Sequence, residues 1–230
     1  MAILTHSGRA ALAASVKNET LHLAIGRGRA FWDTTQTVTA SFAPDDRLEL
    51  GFAHLSDVVV KSQDGATTYT SGTDYTVNAT TGVLTRIHDG SIPAESTVSV
   101  TMTVNRPPED VEATALIDEI ARRAVDEVYF VEPDPDGEIS LSTGRYRIST
   151  TPTPHLFIRT KFDFTDAVGA TIREQAVFVG TQTDQNLPAG QRYFTPDQLI
   201  DPGVLLLIEN TPPIVRQAST RETFEFVLTF

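Results

Sequence analysis

Leu21–Asp33 reads LHLAIGRGRAFWD, and the fate of Gly26-Arg27-Gly28-Arg29 decides what kind of chain this is. A glycine-rich turn between a strand and a helix can cradle phosphate with backbone N–H groups, which would point to a nucleotide-using enzyme. Here the third glycine and the following helix are missing, as is the Gly-Lys-Ser/Thr of a P-loop. The chain runs instead into Phe31 and Trp32. The stretch therefore reads as a strand, Leu21–Ile25, that leaves through a turn glycine permits, with the aromatic pair packing down as an anchor. A structural module is the expectation.

Upstream, Ser7–Val16 is alanine-rich and reads as a short helix capped by Thr5 or Ser7, followed by a polar turn at Lys17–Thr20. Downstream, from Thr37 to Val104, Thr, Ser and Val alternate in short runs: Val58–Val60, Tyr75–Val77, Val83–Ile87 and Thr97–Val104. Gln63-Asp64-Gly65, Ser71-Gly72, Thr81-Gly82 and Asp89-Gly90 separate them with turn chemistry, which suggests a small antiparallel sandwich or barrel.

Arg106-Pro107-Pro108 breaks that texture. Behind it Ala113, Leu116, Ile117, Ile120, Ala121 and Ala124 fall on a face of period ~3.6, so the spacing predicts a helix over Glu109–Val125. Pro108 suits its first position, acidic residues its start, and Arg122 and Arg123 its end. Strand patterns return at Val125–Val131, Tyr146–Ser149, His155–Phe164, Gln175–Val179, Val204–Glu209 and Glu222–Phe230. In His155–Phe164, Leu156, Ile158, Phe162 and Phe164 share one face, as in a half-buried strand. Phe224, Phe226, Leu228 and Phe230 alternate likewise, so the last strand is expected inside a sheet. The expected fold is mainly β, with antiparallel sheets, a short N-terminal helix and a helix at about 109–125.

Whole-chain totals narrow the function. Lys+Arg 18 against Asp+Glu 30 gives a formal charge of −12, which argues against broad binding to nucleic acid or anionic membrane. Cysteine is absent, so disulfides, thiolate metal sites and cysteine nucleophiles are excluded. The N-terminal stretch lacks the pattern of a signal peptide, and Val204–Ile208 is far shorter than the ~20 apolar residues that span a bilayer, so a soluble chain is expected.

No catalytic motif stands out. Asp134-Pro135-Asp136-Gly137-Glu138 opens like a calcium loop but lacks the later bidentate glutamate, and Asp-Gly between strands is the signature of a tight hairpin. His6, His22, His54, His88 and His155 never take the i,i+4 spacing of a helical zinc motif. Arg173-Glu174 and Arg221-Glu222 read as ion pairs or surface contacts. The chain is therefore read as no enzyme, with no catalytic, cofactor or metal residues.

Several stretches together resemble a family of bacteriophage tail proteins found in tailed phages and prophages. They are ILTHSGRAALAASV, LHLAIGRGRAFWD, ALIDEIARR (Ala115–Arg123), PDPDGEI (Pro133–Ile139), STTPTPHLFIRTKFDFTDA (Ser149–Ala167), IREQAVFVGT (Ile172–Thr181), LPAGQRYFTPDQLIDPG (Leu187–Gly203) and the closing FEFVLTF. The resemblance covers most of the chain outside Thr37–Arg106. It implies a discontinuous tail-protein domain, residues 1–36 and 107–230, with an all-β module, residues 37–106, inserted in it. The inserted segment itself resembles a small β module common in phage tail and baseplate proteins.

What the resemblance implies is a structural component of the tail, at the baseplate or at a fibre-attachment point, in several symmetric copies. Its partners would be other tail or baseplate proteins and further copies of itself, with no nucleic acid and no membrane. It would be made in the host cytoplasm and reside in the virion. Sheet edges and the aromatics Phe31, Trp32, Tyr193 and Phe194 are the candidate interface, with the packing of all four in the core as the alternative. A neck or collar protein, and a host-surface carbohydrate-binding module with Tyr69 and Tyr75 as stacking candidates, are the competing readings.

Overall fold

A computed structural model of the chain describes residues 2–230. Helix α1 (His6–Lys17) starts at Thr5, whose Oγ1 accepts the Gly8 N–H at 3.2 Å. That bond satisfies one of the donors a helix N-terminus leaves free. Strand β1 (Leu21–Gly26) follows. Next come β2 (Thr34–Ser41), β3 (Arg47–Glu49), β4 (Leu55–Ser62), β5 (Tyr75–Asn78), β6 (Val83–Arg86) and β7 (Thr97–Val104). The chain continues through β8 (Glu119–Ala124), β9 (Glu127–Pro133), β10 (Ile139–Leu141), β11 (Gly144–Ser149), β12 (His155–Phe162) and β13 (Thr171–Val179). It closes with β14 (Gln182–Thr183), β15 (Tyr193–Phe194), β16 (Leu199–Asp201), β17 (Val204–Val215) and β18 (Glu222–Thr229). All pairings between these strands are antiparallel, so the fold is mainly antiparallel β with one short α-helix and one 3-10 turn, Pro196–Gln198, among the described residues.

Two compact units divide the chain: Met1–Gly28 with Glu109–Phe230, and Arg29–Pro108. The smaller unit carries two three-stranded sheets, β2-β7-β4 and β3-β6-β5, that share one apolar cluster. Strand β7 shows how its sequence does this: in TVSVTMTV the residues Val98, Val100, Met102 and Val104 are buried while Thr97, Ser99, Thr101 and Thr103 lie on the other face. Period two puts every second side chain on the same side of a strand, and the sheet buries the apolar one.

In the larger unit two five-stranded sheets, β15-β8-β1-β13-β17 and β10-β11-β9-β12-β18, meet over a core of Leu21, Leu23, Ile25, Ile158, Phe162, Val177, Phe224 and Phe226. Strand β12 is covered on both faces. Leu156 and Ile158 turn to one side, while Phe157 packs with Val131 and Ile139 on the other, so this strand is more deeply buried than the half-buried pattern predicts.

The helix expected over Glu109–Val125 is not there. Residues 109–118 form turns and irregular chain, and Glu119–Ala124 is β8, an interior strand between β1 and β15. Tertiary pairing overrides the local pattern here. Ala121 and Arg122 are both buried although adjacent, because β8 is covered on both faces, and such a strand loses the period of two that would mark it. Leu116, on the expected helical stripe, instead packs on Ala24, Ala176 and Phe178.

Candidate functional site

The glycine turn after β1 does hold an anion, and the anion belongs to the chain. Glu174 of β13 is almost fully buried, and its Oε2 accepts the Gly28 N–H at 2.9 Å while its Oε1 accepts the Ile117 N–H at 3.0 Å. Gly28 reaches that bond with φ +56, and a Cβ on Gly26 would lie 2.6 Å from Glu174 Oε2. Both glycines are thus explained by the approach of a carboxylate. Arg27 completes the knot: its N–H donates to the Asp118 carbonyl at 2.8 Å and its guanidinium reaches the Asp118 carboxylate at 3.0 Å. The turn's N–H groups that could cradle a phosphate are spent within the chain, Gly28 on Glu174 and Arg27 on the Asp118 carbonyl.

The Asp134–Glu138 loop is a turn but not the expected tight hairpin, because the strands it joins, β9 and β10, lie on either side of β11 and do not pair with each other. Gly137 N–H donates to the Asp134 carbonyl at 3.0 Å, Asp136 N–H to the Asp134 carboxylate at 2.9 Å, and Glu138 accepts the Ile148 N–H at 3.1 Å. Among the described residues no three His, Asp or Glu side chains converge as metal ligands do. His22 is buried edge-on to Phe194 with centroids 5.5 Å apart. Burial, reinforced by the charges of Arg122 and Arg192, lowers its pKa to about 4, so it is neutral at pH 7. His155 bonds Thr229 Oγ1 at 2.9 Å, and its partial burial, with His6 nearby, also lowers its pKa.

Three buried charges that the sequence does not announce organise the larger unit. Glu174 is one. Arg122, 2 % exposed, lies over the Phe178 ring at 3.6 Å, grips the Glu119 carboxylate at 2.7 and 3.0 Å, and donates to Thr181 Oγ1 and the Pro202 carbonyl. Arg216, also buried, donates to the carbonyls of Asp163 at 2.7 Å and Thr220 at 3.2 Å, tying together the loops before β13 and β18. The expected neighbour pairs break up accordingly. Adjacent residues in a strand face opposite ways; Glu174 turns inward to the loop, Arg221 pairs with Asp163 at 2.7 Å, and Glu222 lies 3.6 Å from Arg216.

The four candidate interface aromatics are packed within the chain. Trp32 is 4 % and Phe194 6 % exposed. Phe31 packs edge-on to Phe52 at 5.1 Å, and Tyr193 edge-on to Phe162 at 6.3 Å against the main core. They serve as anchors because a large ring gains most by leaving water. Tyr75 is buried and Tyr69 packs on the same cluster, so neither offers a bare platform for a sugar ring.

What lies exposed is of two kinds. One is the outer face of β2 and β7, where Thr35, Thr37, Thr39 and Ser41 stand opposite Thr103, Thr101, Ser99 and Thr97. Its hydroxyls bond across the strands, Thr37 to Thr101 at 3.0 Å and Ser41 to Thr97 at 2.7 Å, and the exposed Lys61 of β4 stands opposite Ser99. The other is the outer strands of the larger unit's two five-stranded sheets, the short β10 and β15 and the longer β17 and β18, each hydrogen-bonded to a sheet neighbour on one side only. Such edges leave rows of backbone donors and acceptors that another chain can pair with.

Comparison with known proteins matches this architecture to assembly parts. A family model described as "Baseplate wedge 3 tail fiber network component" matches residues 96–230, more than half of the chain. A second, described as a protein of unknown function, matches residues 24–109, nearly the span of the smaller unit. A tail sheath protein of Burkholderia phage BcepMu is 36% identical over 75 residues, 33% of this chain and 16% of that protein. The chain thus spans less than a fifth of that relative's length. No helix among the described residues is long and apolar enough to cross a membrane. A β-rich chain whose glycine loop is filled by its own glutamate, and whose exposed features include strand edges and a hydroxyl-bearing sheet face, belongs to the baseplate wedge 3 tail fibre network component family and is a structural protein of the phage tail.

Proposed function

We propose that the protein is a baseplate component at the point where fibres attach, present in several symmetric copies around the tail. The observation that carries this reading is the family match over residues 96–230, which spans all the strands of the larger unit after β1. The open edges of β17 and β18 support it, since an assembly part needs surfaces that pair with neighbours. On this reading the larger unit seats in the baseplate, and Arg29–Pro108 is an inserted module whose hydroxyl face meets a neighbour. Partners are other tail proteins and further copies of the chain. An electron-microscopy map of the intact particle tests it: copies in a ring at the baseplate, next to the fibres, are expected. A position at the neck, or absence from purified particles, overturns it.

A further inference from the structure

The two long edge strands of the larger unit, β17 and β18, are not equally open. Strand β17 carries Pro212 and Pro213, which have no N–H to donate, and the Asn210 N–H is already bonded to Glu109 Oε1 at 3.0 Å. Strand β18 has neither device. It pairs with β12 from Glu222 to Thr229 without a bulge, and the Phe230 N–H donates to the Pro154 carbonyl at 3.0 Å. Hydrogen-bond direction alternates along an antiparallel strand. Phe224, Phe226 and Leu228 therefore face their backbone groups to β12, and Thr223, Glu225, Val227 and Thr229 face theirs outward.

Two of these, Glu225 and Val227, line a groove of about 450 Å³, bounded by Leu207–Glu209 of β17, the Leu141–Thr143 turn between β10 and β11, Glu225–Val227 of β18, and Glu109. Its walls combine the apolar Leu141, Leu207, Ile208, Phe226 and Val227 with the hydroxyls of Ser142 and Thr143 and three carboxylates. Glu225 is neutralised by Arg159 at 2.6 Å. Among the described residues Glu109 and Glu209 have no ion-pair partner, and partial burial together with the charge of Glu109 raises the Glu209 pKa. A cation entering the groove would relieve that repulsion. A second copy of the chain would do the reverse, because a two-fold contact sets the same carboxylates against one another.

We propose that the open edge of β18 and this groove take up one extended segment of another tail protein, an apolar strand carrying a lysine or arginine that lies against Glu109 and Glu209. The segment would add to the sheet beside β18 through the backbone groups of Thr223, Glu225, Val227 and Thr229, with side chains in the groove setting the choice. This rests on the reading of the chain as an assembly part and names the partner chemistry of one of its edges.

The test uses the full chain and two blocked six-residue peptides, one alternating valine with lysine and one alternating valine with glutamate. The lysine peptide is expected to bind and to slow hydrogen exchange at the amides of Glu225 and Val227, and the glutamate peptide not to bind. Glu109→Gln with Glu209→Gln should weaken the lysine peptide about tenfold, the loss of roughly one charge contact. Val227→Pro, which removes an outward N–H and no bond to β12, should abolish the protection. Equal binding of both peptides, no protection at β18, or a homodimer that Val227→Pro dissolves would overturn the proposal. The particle map separates the two readings: a chain at the baseplate with β18 bare sinks this proposal alone, and a chain at the neck with β18 paired sinks only the position.

Discussion

The two units of this chain solve burial differently. In Arg29–Pro108 the interior is apolar, and the buried polar groups among its described residues are only Asp74 and Arg86. Asp74 is a turn clamp, accepting the Thr70 and Ser91 N–H groups at 2.7 Å, and those bonds hold its carboxyl below the usual range. Arg86 pairs with Asp46 at 2.7 Å. In the larger unit His22 is buried edge-on to Phe194, and Arg122, Glu174 and Arg216 are buried charges that each hold distant segments together. The smaller unit is specified by alternation and the larger by a few charged knots, so the two should respond differently to substitution.

The largest effect is expected from cutting a knot. Arg122→Met keeps the bulk but leaves the half-buried Glu119 without its partner, and should cost about 3 kcal/mol, the low end for breaking one side of a buried pair. Urea unfolding followed by circular dichroism measures it. A cost under about 1 kcal/mol would show that the guanidinium acts as packing alone.

Acid comes next. His22 protonates at 6.5 when unfolded but only near pH 4 when folded. Between those values the unfolded chain takes up a proton that the folded chain refuses, so stability present above pH 6.5 is lost as the pH falls toward 4. At ~1.4 kcal/mol per pH unit the loss reaches about 3 kcal/mol. His22→Leu should flatten that part of the pH–stability curve relative to the unsubstituted protein; parallel curves would refute the assignment.

A smaller effect is expected at the glycine turn. Gly26→Ala places a methyl 2.6 Å from a Glu174 oxygen that cannot swing away, being bonded to Gly28 and Ile117. Overpacking of this kind costs about 2 kcal/mol, and hydrogen exchange should speed up first at Gly28 and Ile117. The smallest belongs to the other unit: Met102→Leu exchanges one apolar group for another of similar volume and should cost less than about 1.5 kcal/mol in the same urea assay. A larger loss would mean that the smaller unit is as finely keyed as the larger.

The same contrast governs what could be read from the sequence. Strand β7, with Val98, Val100, Met102 and Val104 inward, is legible because one face is wet and the other dry. So are α1, with Thr5 at its cap, and the closing strand with Phe224 and Phe226 inward. Strand β8 is not, because Ala121 and Arg122 are buried side by side and an arginine in a core looks like an arginine on a surface. The aromatics Phe31, Trp32, Tyr193 and Phe194 stand out in the sequence, yet the hydrophobic effect draws them inward, and the open features left behind are unremarkable backbone. Nothing local marks Glu174 as the partner of Gly28, and the β17–β18 groove exists only once topology has placed two sheets.

The bond between Gly28 and Glu174 spans 146 positions, and both sheet neighbours of β1, namely β8 and β13, are encoded after the whole of Arg29–Pro108. During synthesis the first strand and its turn emerge with no partner to pair with. The smaller unit, whose strands pair only among themselves, has all of its sequence available before β8 exists. On the ribosome the order of completion is therefore inside out: the intervening module can close first, while the N-terminal strand waits for β8 and β13.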